Sequence, residues 1–243
     1  MKKTRTILIV TVLVIIAGIF VWHGQAEAPS HTIKTATPST QHSAQQVGFN
    51  KAAFSTTDPT SPWVVVNKQH PLAPVNYAPI DLQPVGAAQY MRAEAAAALT
   101  QMLGDAKTAG YIVTPASGYR SYTTQVSVYN SEVKSFGQAV ADSESARPGF
   151  SEHQTGWAMD LASGGCSITD CFGSTPGGQW VTANAYKYGF ILRYRATDVT
   201  ITGYRAESWH FRYVGKELAG EMHKENVTTL EKFFNISGGS IYK

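Results

Sequence analysis

The chain has 243 residues, 43% of them hydrophobic and 15% charged, with a formal net charge of +3. That supplies enough apolar material for one sizeable core. Lys2, Lys3 and Arg5 against Glu27 account for most of the positive excess, and no basic run follows. The remainder is too nearly neutral for nucleic acid to be a partner.

Residues 1–28 read as an export signal or a retained N-terminal membrane anchor. A positive start precedes the apolar run from Ile7 to Trp22, and Ala26-Glu27-Ala28 fits a small-x-small cleavage pattern. The run is long for the core of a signal peptide and short for a full membrane span. On either reading the rest of the chain is expected outside the cytoplasm: in the cell wall, at the outer face of the cytoplasmic membrane, or secreted. Residues 29–60, rich in Ser, Thr, Gln, Pro and Ala, cannot bury enough surface to offset their ordering entropy, so a flexible linker is expected. A folded domain is expected over 61–236, with a frayed tail at 237–243 containing Gly238-Gly239.

Within the domain, Pro62 to Lys68 is a compact β-type run, followed by an irregular stretch holding Pro71, Pro74 and Pro79. Met91, Ala95, Ala98, Leu99, Met102 and Leu103 recur at helical spacing, which predicts a helix from near Gly86 to Gly110. Tyr111 opens a strand. A second helix is predicted after Ser121 and Tyr122, through Gln125 and Tyr129 to about Phe136. Arg147-Pro-Gly makes a turn, and Trp157, Met159 and Leu161 alternate with Ala158 and Asp160 as in a strand. A glycine-rich loop from Ser163 to Gly178 follows. A short helix is then expected over 179–188, a strand over 190–194, a loop or hairpin over 195–205, a strand over 208–214 and helical material over 216–234. Helices and strands mix without a βαβ rhythm, which predicts an α+β fold with a central, mostly antiparallel sheet flanked by helices.

Cys166 and Cys171 are the only cysteines. In an oxidising compartment a short local disulfide is the simpler reading; zinc ligation would need partners at similar spacing, and none lie nearby.

Two clusters carry chemistry. A carboxylate at Asp160 inside an apolar strand is costly unless something pairs with it, and an ion shared with His153 would do so. Downstream, Glu207-Ser-Trp-His210 places a second imidazole on a strand. His153, Asp160 and His210 have the donor chemistry of a zinc site that keeps its fourth position open for water. Glu207, beside His210, suits a general base. No HExxH sequence is present, which excludes a helix-based zinc site of that kind. Trp157 and Trp209 read as core, whereas Tyr119 and Tyr122 are candidates for a cleft lining.

The set Ser151-x-His153-x-x-Gly156-x-Ala158-x-Asp160, then Glu207-x-x-His210, with Ser117-Gly-Tyr-Arg120-Ser and Gln125 upstream, resembles the VanY-type zinc D-alanyl-D-alanine carboxypeptidases. That group includes LD-carboxypeptidases of the cell wall, and the likeness covers roughly residues 60–235. It implies a zinc DD-peptidase-like α+β domain, Zn2+ held by His153, Asp160 and His210, and Glu207 as the catalytic base. It implies that Arg120 binds substrate and steadies the oxyanion, with Gln125 and Ser151 among the polar substrate contacts. Peptidoglycan stem peptides are the implied partners and a monomer is expected. The leading expectation is removal of the terminal D-alanine from D-Ala-D-Ala stems. The alternatives are an LD-carboxypeptidase on tetrapeptide stems, an endopeptidase cutting cross-links, and a wall-binding module without catalysis.

Overall fold

The computed structural model describes residues 48–243. The expected signal or anchor at 1–28 and the linker as far as residue 47 lie outside the described residues. Residues 48–60, assigned by composition to the linker, pack onto the domain. Phe49 stacks on Trp63 with ring centroids 5.4 Å apart, and Lys51 Nζ donates to the Phe233 carbonyl at 2.8 Å. The segment stays mostly exposed, but the half-buried Phe49 ring and this long-range hydrogen bond anchor it to the domain. Among the described residues no helix is long and apolar enough to cross a membrane.

The run from Pro62 to Lys68 is not a strand; its backbone turns, with one isolated bridge between Asn67 and His70. Its side chains split between two cores instead. Val64 and Val66 join the main core, and Trp63 and Val65 a smaller one. The helix expected from Gly86 begins later, because Leu82–Val85 (β1) and Gln89–Arg92 (β2) form an antiparallel hairpin turning at Gly86. The helix itself, α1, spans Ala93–Thr108 and buries Ala95, Leu99 and Met102.

A five-stranded antiparallel sheet follows, built from β3 (Val113–Ser117), β4 (Ala158–Ser163), β5 (Cys166–Ser167), β6 (Phe190–Tyr194) and β7 (Glu207–Tyr213). The order along its main path is β3-β4-β7-β6, with β5 paired to β4. Helices α2 (Tyr122–Phe136) and α3 (Gln138–Glu144) follow β3, and the side chain of Ser121 caps α2 by accepting from Thr124 N–H at 3.1 Å. Helix α4 (Pro176–Asn184) precedes β6, the short α5 (Val199–Thr202) fills the expected loop, and α6 (Lys216–Glu225) and α7 (Leu230–Phe234) end the fold.

One face of β4 and β7 feeds the main core through Trp157, Met159, Leu161, Trp209 and Phe211, against α1 residues. The smaller core joins Trp63, Val65 and Ile191 to α6 and α7. The opposite face of β4 and β7, carrying Asp160 and His210, is buried too.

Residues 237–243 do not fray. Lys243 N–H donates to the Lys68 carbonyl at 3.0 Å, and the Tyr242 hydroxyl accepts from Arg147 N–H at 3.1 Å. The Arg147 guanidinium lies 4.2 Å from the Tyr242 ring centroid, and Phe150 meets that ring edge-on. An aromatic ring with a hydroxyl suits such a half-wet contact.

Candidate metal centre and active site

Asp160 on β4 and His210 on β7 are direct cross-strand partners, so the pairing register alone sets their side chains side by side. His153 comes from a single 3-10 turn, Glu152–Thr155, that ends just before β4. Gly156 closes that turn at φ 74, where a side chain would also meet Arg92 Cγ at 2.9 Å. The turn thereby swings His153 back over the sheet.

Each imidazole has one nitrogen committed to the protein. His153 Nδ1 lies 2.8 Å from the Gly118 carbonyl, and His210 Nε2 lies 3.2 Å from Glu152 Oε2. The nitrogens left over face Asp160: His153 Nε2 is 3.3 Å from Oδ2 and His210 Nδ1 is 3.1 Å from Oδ1. One donor atom from each of the three residues lies within 4.8 Å of the others. Asp160 Oδ1 is buried without a hydrogen bond of acceptable geometry. Two imidazoles fixed through their outer nitrogens, converging on a carboxylate with an unsatisfied oxygen, form a donor set that fits a metal ion.

The electrostatics agree. Burial opposes ionisation of Asp160, yet the two imidazoles of His153 and His210 beside it override that and hold its carboxyl well below the usual range. Burial, with Arg120 adding to it, lowers His153 to about 4, which keeps it neutral as a ligand must be. At His210 burial is outweighed by hydrogen bonds to Asp160 and Glu152, raising it to about 9. Of the two, Asp160 faces Nδ1 and attracts a cation to that side, whether a proton or a metal, while Glu152 holds Nε2.

Glu207 opens β7, and its Oε2 lies 3.6 Å from His210 Nδ1. Burial pushes its carboxyl up to about 7, with His210 and Arg120 pulling the other way. A carboxyl poised near neutrality can both take and return a proton.

Arg120 follows β3, and its backbone N–H donates to the His153 carbonyl at 3.2 Å. Its Nη1 donates to Gln125 Oε1 at 3.0 Å, whereas its buried Nε has no partner. Gln125 in turn donates to the Ala146 carbonyl at 2.7 Å, one residue from the Arg147 backbone that Tyr242 holds. A cavity of about 60 Å³ is lined by Arg120, Gln125, Ser151, Tyr194, Tyr204 and Glu207, among others. An outer cavity of about 260 Å³ shares Arg120, His153, Asp160 and Glu207 with the site and adds Val128, Ile168 and Trp209. Tyr119 and Tyr122 line neither cavity; Tyr194 and Tyr204 take that place. Cys166 and Cys171 form a disulfide.

Glu152 is absent from the sequence-based set. Its Oε1 accepts from Arg193 Nε at 2.8 Å and Arg212 Nη1 at 2.7 Å. Arg193 Nη2 also donates to Glu231 Oε1 at 2.7 Å. Two acids and two guanidiniums, all buried, thus form a charge-balanced layer under His210. Asn67, another buried member, donates to Glu231 at 2.9 Å. The signals in the sequence were slight: Arg193 and Arg212 are cations inside apolar strands.

A family model described as VanY, D-alanyl-D-alanine carboxypeptidase, matches residues 88–216, more than half of the chain. The putative carboxypeptidase YodJ of Bacillus subtilis (strain 168) is 44% identical over 188 residues, covering 73% of this chain and 68% of YodJ. The solved LdcB LD-carboxypeptidase superposes with a TM-score of 0.68 at 43% identity, covering 74% of this chain and 88% of that one. The D,D-pentapeptidase VanY of a VanB-type resistance cassette, solved with Zn(II), superposes with a TM-score of 0.63 at 29% identity, covering 71% of this chain and 98% of that one. The chain belongs to the VanY D-alanyl-D-alanine carboxypeptidase family.

Proposed function

We propose that this VanY-family chain is a zinc carboxypeptidase that removes the terminal D-alanine from peptidoglycan stem peptides outside the cytoplasm. The carrying observation is the buried, unpartnered Nε edge of Arg120, set in a small cavity beside Glu207 and the three metal-type donors. A guanidinium with a free edge in a small pocket suits a terminal carboxylate, which an endopeptidase substrate does not offer. His153, Asp160 and His210 would hold the zinc. When bound, zinc supplies a Lewis acid that polarises the scissile carbonyl and acidifies water.

The chain's own residues do the rest. Gln125 fixes Arg120 so that its free edge meets the anion. Glu207, with its carboxyl near neutrality, takes the proton of the attacking water and delivers it to the leaving amine of D-alanine. Gly118 and Glu152 hold the two imidazoles in the tautomers that present Nε2 of His153 and Nδ1 of His210.

Between pentapeptide and tetrapeptide stems, one observation favours the tetrapeptide. Identity is 43% to the LdcB LD-carboxypeptidase and 29% to the VanY D,D-pentapeptidase. Export is supported by the N-terminal sequence and by the disulfide.

The test is to incubate the zinc-loaded protein and Glu207→Gln with purified penta- and tetrapeptide stems and to weigh the products. Free alanine is expected from the tetrapeptide with the parent protein. The variant should keep stoichiometric zinc and lose about 10²–10⁴-fold in turnover, the usual contribution of a general base. Fragments cut at an internal bond would point to an endopeptidase instead. Undiminished turnover by Glu207→Gln would remove the base assignment, and full turnover after chelation would remove the metal.

A further inference from the structure

Every described arginine but two faces a carboxylate: Arg92 meets Asp81, Arg147 meets Asp142, Arg205 meets Glu144, and Arg193 and Arg212 share Glu152. The exceptions are Arg120 and Arg195, and each has a buried Nε without a hydrogen-bond partner. A guanidinium stays charged at any accessible pH and carries five donors, so an unpaired one has an edge ready for an anion. Arg120 belongs to the catalytic site. Arg195, just beyond β6, instead lines a separate cavity of about 120 Å³, together with residues of the turn Ala185–Tyr188, of the edge strand β6 and of the C-terminal end of α6. That cavity shares no lining residue with the two cavities around the metal-type donors.

Thr182, Asn226 and Thr228 bring hydroxyl and amide groups to this cavity and His223 an imidazole, while no carboxylate lines it. His223 lies flat on Tyr186, with ring centroids 3.6 Å apart and planes 8° from parallel, which fixes one wall. The helix-end carbonyls that would repel an anion are already engaged. Asn226 N–H donates to the His223 carbonyl at 3.2 Å, Val227 N–H to that of Met222 at 2.9 Å, and Gly189 N–H to that of Tyr186 at 3.2 Å. Of the nearby acids on α6, Glu221 is paired with Lys224 at 2.9 Å, and Glu225 is exposed and outside the lining.

We propose that this cavity is a second anion site, built for a phosphate oxyanion, through which the protein holds a phosphodiester polymer away from the catalytic cavity. Donors converge from a guanidinium, an imidazole, two hydroxyls and an amide. Such a set serves the several oxygens of a phosphate better than the two of a carboxylate. Lys187, exposed and bonded to the neutral Asn184 at 2.8 Å, extends the positive charge past Tyr186 toward a neighbouring phosphate of the same chain. The site is independent of the carboxypeptidase reading.

The experiment titrates the zinc-loaded, nitrogen-15-labelled protein with inorganic phosphate, dimethyl phosphate and acetate, and follows the NMR signals of Arg195 Nε–H and of the Asn226 and Thr228 amides. Signals of Arg120 and His153 report the catalytic site separately. Saturable shifts around Arg195 are expected with a Kd of about 1–10 mM, the strength of one or two charge-assisted hydrogen bonds. Arg195→Gln should weaken phosphate about tenfold and His223→Gln about threefold. Both variants should melt within about 2 °C of the parent, which shows that they fold. Dimethyl phosphate bound at least as tightly as phosphate supports the polymer, and phosphate bound alone supports the site with a free ion as its ligand. Acetate bound as tightly as either would overturn the phosphate assignment. Absence of saturable shifts at Arg195, or the same titration in both variants as in the parent, would overturn the site.

Discussion

Replacing Glu152 by glutamine tests whether the buried charge layer supports the metal centre. The side chain keeps its shape but loses the negative charge that faces Arg193 Nε at 2.8 Å, Arg212 Nη1 at 2.7 Å and His210 Nε2 at 3.2 Å. Arg193 keeps Glu231 as an acidic partner, whereas Arg212 retains only backbone carbonyls, those of Pro62, Val64 and Tyr213. Breaking a buried pair by removing one partner costs about 3–5 kcal/mol, because the remaining charge stays desolvated. For a domain of this size that corresponds to a melting temperature lower by about 6–20 °C. Losing the carboxylate behind His210 should also weaken zinc binding about 10–100-fold.

The pH dependence carries a sign. Burial works against ionisation of Glu152, but Arg193, Arg212 and His210 override it and hold its carboxyl well below the usual carboxylate range. A depressed folded value means that the stabilisation is fully present above the unfolded carboxylate pKa. It is lost only as pH falls through the folded value. The gap in melting temperature between parent and Glu152→Gln should therefore persist from pH 8 to pH 5, widening as the pH falls from about 9 to 6.5 because Glu152 also helps to raise His210, and narrow only in strong acid. Thermal unfolding across that range, with a zinc titration at neutral pH, measures both effects. A gap below about 2 °C at pH 7 would refute the reasoning, since under 1 kcal/mol cannot reflect a buried charge left without its partner.

Other expectations follow from the same geometry. Gly118→Ala would drive a Cβ into the Tyr90 carbonyl oxygen and to 2.8 Å from Met159 Cε, displacing the carbonyl that holds His153. It should cost about 1–3 kcal/mol in thermal unfolding and weaken zinc binding about tenfold or more. Arg120→Lys replaces a planar fork by a point charge and should lower kcat/KM about 10²-fold, with zinc content unchanged by metal analysis. Tyr242→Ala frees the Arg147 backbone next to the carbonyl that orients Gln125, and a rise in KM of about tenfold is expected. Tyr242→Phe, which keeps the ring under Arg147 but lacks the hydroxyl that accepts from Arg147 N–H, should show most of the same rise; a KM equal to the parent's would shift the weight to the ring.

The four residues at the centre of the site were legible in the sequence because their chemistry is local. Asp160 is conspicuous in an apolar strand, and His210 lies close to Glu207 in the chain, although a register shift against β6 is what lets two residues three apart meet. The helix from Tyr122 to Phe136 and the strand from Phe190 to Tyr194 were also readable, although Gln125 and Arg193 interrupt their apolar patterns. Glu152 was not legible. A glutamate beside a histidine in a polar turn is ordinarily solvated, and its burial depends on guanidiniums some 40 and 60 residues away. Pro62 to Lys68 misled for a related reason: its run of valines looks like a strand, but two separate cores take alternate side chains. The hairpin before α1 escaped notice because each of its strands has only four residues, too few to show an alternating pattern.

The two hydrogen bonds that tie the loop carrying Arg120 to the turn carrying His153 have a thermodynamic consequence. The Gly118 carbonyl faces the His153 ring, and Arg120 N–H donates to the His153 carbonyl, so the proposed anion receptor and the proposed cation ligand share one support. A carboxylate seated on Arg120 that shifts this loop changes the fit of the imidazole to its ion. Linkage requires the converse by the same factor. Peptide affinity should thus depend on metal occupancy even for ligands that never touch the ion, and metal retention should rise in the presence of substrate.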